Sequence, residues 1–89
     1  MKVYSISSLE QLERAADLVK WQSDQTKVMN YIAYWKRRKV MDPDNALPSL
    51  TLEIGRRAQI FRHDGGKKQL ATLYVIPARD FAREELTEI

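Results

Sequence analysis

Hydrophobic and polar positions divide this chain into a helical first half and a second half of strand character. Val3, Tyr4 and Ile6 are β-favouring residues, so residues 2–6 read as a strand. Ser7 or Ser8 then starts a helix, with Ser7-x-x-Glu10 as the capping box in which serine and glutamate satisfy first-turn N–H groups. Leu9, Leu12, Ala16 and Val19 follow at helical spacing, with Ala15 and Leu18 widening the stripe. This first helix is expected to run to about Trp21.

Gln22-Ser23-Asp24-Gln25 is polar, and Ser23 or Asp24 is suited to cap a second helix. Residues 8–41 contain neither Gly nor Pro, so one bent helix is also compatible with the pattern. Val28, Tyr31, Ile32 and Trp35 fall at i, i+3, i+4 and i+7, which gives the second helix one apolar face. Asp42 to Ser49, with two prolines, two aspartates and an asparagine, breaks it and reads as a loop.

Leu50, Leu52 and Ile54 alternate with Thr51 and Glu53, the period of a half-buried strand. Gly55 interrupts the alternation as a bulge would, and 56–62 resumes it. Leu50, Ile54, Ala58 and Phe61 also fit a helix, but His63-Asp64-Gly65-Gly66 resembles a hairpin turn and favours strands. Leu70 to Ile76 reads as the returning strand, ended by Pro77, and residues 78–89 as a last helix with Phe81, Ala82, Leu86 and Ile89 inward. The resulting order, β-α-α-β-β(-β)-α, predicts a single α+β domain over residues 1–89, a small antiparallel sheet with helices packed on one face.

Composition narrows the function classes. With 44% apolar residues and no cysteine, a chain of 89 residues must hold its core without disulfides, and thiolate metal sites and cysteine nucleophiles are excluded. No apolar run approaches the roughly 18 residues of a membrane span, and the N-terminus lacks a signal-peptide core, so a cytoplasmic protein is expected.

The net charge of +3 is unevenly distributed. Residues 1–26 carry three cations and four anions, residues 27–68 ten and four, and residues 69–89 two and four. The basic middle predicts one positive face and an acidic partner. Its cations form three clusters: Lys36, Arg37, Arg38 and Lys39 at a helix end, Arg56 and Arg57 near Gly55, and Arg62, Lys67 and Lys68 around the hairpin turn. Cations at a helix C-terminus also complement the helix dipole and need no ligand for that. Gathered on one face, the clusters would neutralise several phosphates of a nucleic acid, without base-specific readout.

Catalytic chemistry has little to stand on. His63 is the single histidine and reads as a solvated turn residue rather than a base. Asp42-Pro43-Asp44-Asn45 offers closely spaced oxygens for a cation, but the same residues are what turns are made of. Glu84 and Glu85, about 100° apart on a helix, make a poor acid–base pair. Gly65-Gly66-Lys67-Lys68 lacks the glycine spacing and the Ser/Thr of a phosphate loop.

The expectation is therefore a non-enzymatic binding domain, with no cofactor and no metal, whose residues 27–68 engage nucleic acid, DNA or RNA, through its backbone. The alternative is a protein-binding inhibitor or accessory subunit that docks on a larger partner, or on an acidic protein surface, through Trp21, Met29, Tyr34 and Met41. A homodimer through the helices or a free sheet edge is equally open.

Overall fold

The structure, a computed structural model, describes residues 1–44, 49–74 and 86–89. Strand β1 (Lys2–Ile6) is followed by helices α1 (Leu9–Ala16) and α2 (Gln22–Met41), a meander of β2 (Leu50–Ile54), β3 (Ala58–Arg62) and β4 (Lys68–Leu73), and the two-residue β5 (Thr87–Glu88). The five strands form one antiparallel sheet in the order β4-β3-β2-β1-β5. The domain is α+β.

Period-two alternation decides which side of the sheet is apolar. The register aligns Tyr4, Leu52, Ile60 and Ala71 in one row across β1 to β4, and Ile54, Ala58 and Leu73 in the next. These residues meet Leu9, Leu12, Ala15 and Ala16 of α1 and Val28, Tyr31, Ile32 and Trp35 of α2 in a single core. The opposite side is polar. Gln59 and Gln69 both donate to Thr72 Oγ1, and Thr51 Oγ1 lies 2.9 Å from His63 Nε2.

Several boundaries depart from the sequence pattern. The N-cap of α1 is Ser8, whose hydroxyl accepts from Gln11 N–H, while Gln11 Oε1 accepts from Ser7 N–H. The capping box is thus shifted by one residue from Ser7-x-x-Glu10. Helix α1 stops at Ala16 rather than near Trp21. Leu18 to Lys20 pair with the outer edge of β4 instead: Val19 bridges Leu73, Lys20 N–H donates to Thr72 O at 2.8 Å, and Tyr74 N–H donates to Leu18 O at 2.9 Å. An open strand edge has backbone groups that must be satisfied, and β4 takes the helical residues expected at 17–21 to do so.

Helix α2 accordingly starts at Gln22, with Trp21 as an N-cap that makes no side-chain bond. Neither Ser23 nor Asp24 caps it. Asp24 Oδ2 instead accepts Thr72 N–H at 3.1 Å, completing the closure of the β4 edge. Gly55 sits in the β2–β3 turn, its N–H donating to Arg57 O, and the irregularity in the sheet falls on the partner strands, between Ile60 and Phe61, where Leu70 is the extra residue of β4. The β3–β4 hairpin turns through Gly65 and Gly66, both at positive φ, as expected for that glycine pair.

At the C-terminus, residues 87–88 are strand and not the end of the helix expected over 78–89. Thr87 and Glu88 pair with Ser5 and Tyr4 as β5, and Ile89 N–H donates to Val3 O. The exposed N-terminal strand offers backbone partners there, which outweighs the weak helical spacing of Leu86 and Ile89. The remainder of that expected helix, with Glu84 and Glu85, lies outside the described residues, as do Asn45 to Pro48 and the end of the strand expected at 70–76. Among the described residues, no helix is long and apolar enough to cross a membrane.

Candidate nucleic-acid interface

Helix α2 has 20 residues and so is about 30 Å long, whereas the strands beneath it have five or six residues and span about 17–20 Å. One end of α2 is pinned where Asp24 meets Thr72 near the end of β4, and the helix runs antiparallel to β4 towards the β3–β4 hairpin. Trp35 is its last buried residue, at 8% exposure; Lys36 to Met41 are all exposed. The Lys36–Lys39 run therefore projects past the core at the hairpin end of the sheet.

Arg56 and Arg57 occupy the opposite end. They lie in the β2–β3 turn next to the Ile54–Ala58 pair, while Arg62 pairs across from Leu50 at the far end of the same strands. About 20 Å of strand separates the two turns. The three basic clusters do not share a face: the helix end and the hairpin come together, and the Arg56–Arg57 pair does not join them.

Helical geometry then divides the Lys36–Lys39 run, because successive residues point 100° apart. Lys36 turns towards α1 and forms an ion pair with Glu13. Arg37 and Arg38 continue the flank carrying Tyr34, at i+3 and i+4. Arg38 donates to Tyr34 Oη at 2.9 Å, and its guanidinium lies 5.5 Å from the Tyr34 ring centre and 5.2 Å from that of Trp35. Lys39 is four residues beyond Trp35, on the flank that faces the core lower down the helix. In the hairpin, Lys67 turns to the polar side of the sheet, over the Phe61 ring and paired with Glu53.

Lys68 and Arg62 face α2. Together with Lys27, Asn30, Tyr31, Tyr34, Asp64, Gln69 and Leu70 they line an open cleft of about 670 Å³ between α2 and the start of β4. Its floor is a polar contact set. The Arg62 guanidinium lies 5.7 Å from the Tyr31 ring centre and its Nε 3.5 Å from Asp64 Oδ1, while Tyr31 Oη lies 3.5 Å from Asp64 Oδ2. Burial pushes the Tyr31 phenol above its ordinary pKa, and the neighbouring Asp64 carboxylate pushes the same way. Lys27 pairs with Asp24 at 3.6 Å, and Lys68 makes no ion pair among the described residues.

Lys27, Asn30, Tyr31 and Gln69 were not singled out as ligand-facing residues by the charge clusters. Lys27, Asn30, Tyr34 and Arg38 recur at i, i+3, i+7 and i+11, a single helix flank readable from spacing alone. The contribution of Gln69 depends on how β4 lies against α2, which spacing does not reveal.

Residues expected on a protein-docking patch are dispersed. Trp21 and Met41 are at opposite ends of α2, and Met29 lies on the flank away from Tyr34, leaving Tyr34 and Met41 as neighbours on one row at i and i+7. His63 is half-buried against Thr51 rather than a free turn residue. Asp42 Oδ1 accepts Asp44 N–H in a local turn, and no group of three or more metal-ligating side chains occurs among the described residues. Comparison with protein-family models, with curated proteins and with solved structures finds no match to this chain.

Proposed function

We propose that this chain is a non-enzymatic binding domain that engages the phosphate backbone of nucleic acid through the projecting end of α2 and the facing side of the β3–β4 hairpin. The observation that carries the reading is an open cleft lined by Lys27, Arg62 and Lys68 beside the end of α2, with Arg37 and Arg38 on the helical turn just beyond Tyr34. Four of the neighbouring cations are neutralised within the protein: Lys27 by Asp24, Lys36 by Glu13, Arg62 by Asp64 and Lys67 by Glu53. Arg37 and Lys68 have no such partner among the described residues, and uncompensated cations at the same end of the domain are available for phosphate contact. A cytoplasmic setting, which the absence of cysteine suits, goes with this reading.

Fluorescence anisotropy with labelled DNA and RNA, titrated across salt, tests it. Log affinity should fall linearly with log salt. Absence of binding to either at low salt would overturn the reading. The competing reading, docking on a protein partner, is favoured by Val40 and Met41, which are 83% and 87% exposed on the same projecting turn. Under it, Met41→Ser would abolish capture of a partner while leaving nucleic-acid affinity and circular dichroism unchanged.

A further inference from the structure

We infer that the cleft between α2 and β4 receives one unpaired nucleobase, so that the chain prefers single-stranded to double-stranded nucleic acid; this deepens the backbone-binding reading and rests on it. The cleft's volume of about 670 Å³ is more than enough to admit a nucleobase. A base in a duplex is stacked and paired, and cannot enter such a space without being extruded. A single strand offers its bases freely.

The lining sorts into parts that fit a nucleotide. Tyr34, 44% exposed, stands at the cleft wall with its ring held edge-on by Trp35, 5.5 Å away, and by the Arg38 contact. A ring fixed in this way is a preorganised stacking surface. Leu70 lines the apolar side of the cleft, and the exposed Asn30 side chain provides a donor and an acceptor for a base edge.

Charge then orients the ligand. Asp64 on the floor is paired with Arg62 and with the Tyr31 hydroxyl, so the floor carries no net positive charge to draw a phosphate inward. Lys68 and Lys27 are exposed at the rim, and Arg37 and Arg38 extend the row beyond it. The base therefore goes in and the phosphates stay at the rim.

The test compares labelled single-stranded and duplex oligonucleotides of equal length at one low salt concentration, with wild type, Tyr34→Ala, Tyr34→Phe and Asn30→Ala. Wild type should bind the single strand more tightly than the duplex. Loss of one stacked base should weaken single-strand binding by about fivefold or more in Tyr34→Ala, with the salt slope unchanged, and Tyr34→Phe should restore most of it. Asn30→Ala, at an exposed position, should weaken single-strand binding alone, and it keeps the test decisive if Tyr34→Ala perturbs the helix. Equal affinity for duplex and single strand, with neither variant selective, would overturn the cleft assignment and leave backbone binding standing. Failure to bind any oligonucleotide would overturn both.

Discussion

The Asp24 carboxylate accepts the backbone N–H of Thr72 at 3.1 Å, joining the first turn of α2 to the outer edge of β4 across 48 positions of sequence. Thr72 is buried, and its carbonyl is taken by Lys20 N–H, so the β4 edge is closed here by the helical hairpin rather than by another strand. Asp24→Ala would leave a buried N–H without an acceptor. The expected cost is about 1.5–3 kcal/mol, the range for hydrogen bonds to charged groups. Asp24→Asn keeps an acceptor oxygen and should cost less. Urea denaturation checks this through a lowered midpoint at unchanged m-value.

Separation of the basic clusters yields a contrast between two double variants. Arg37→Glu/Arg38→Glu should weaken nucleic-acid binding and reduce the slope of log affinity against log salt by at least about 1.4 on a single strand, two phosphate contacts being lost. Arg56→Glu/Arg57→Glu, at the other end of the sheet, should change the slope little. Equal effects would mean that binding follows net charge and not the α2–hairpin surface.

Sequence carried the meander well because each of its signals was local. Alternation at 50–54, the glycine pair at 65–66 and the β-branched returning strand each act within a few residues. What it concealed was long-range. Leu18 and Val19 fit the helical stripe of α1, yet β4, some fifty residues later, claims their backbone. Thr87 and Glu88 were likewise drawn into β5 by the free edge of β1. For the candidate site the same division holds. The α2 flank from Lys27 to Arg38 can be read from spacing, whereas the opposition of Lys68 to it, and the exclusion of Arg56 and Arg57, follow only from strand order.

Hairpin geometry depends on two glycines with no neighbour to crowd a side chain. Gly65 has φ of 78° and Gly66 of 113°, and an added Cβ would meet nothing within 4 Å at either. Any cost of substitution is therefore conformational. Gly66→Ala should destabilise by about 1–3 kcal/mol, the range for residues held in sparsely populated backbone regions. Gly65 lies in the left-handed helical region that asparagine tolerates, so Gly65→Asn should cost less than Gly65→Ala. Equilibrium unfolding of the three variants checks the ranking, and the loss should appear with the core packing untouched.

Tyr31 couples the cleft floor to stability at alkaline pH. Its phenol is partly buried and faces the Asp64 carboxylate, and both raise its pKa above the ordinary value near 10. In the unfolded chain the proton leaves at about that ordinary value, while the folded protein retains it. The unfolded state thus binds fewer protons between the two pKa values, and stability falls with rising pH there. This contribution is fully present below pH 10 and is lost as pH rises through the folded-state value. Tyr31→Phe removes it, so the variant's melting temperature should decline less steeply above pH 10 than that of the wild type. Absorbance near 295 nm should lose one late-ionising phenol in the same variant. A wild-type and variant pair with parallel pH profiles would mean that Tyr31 ionises as freely in the folded chain as in the unfolded one.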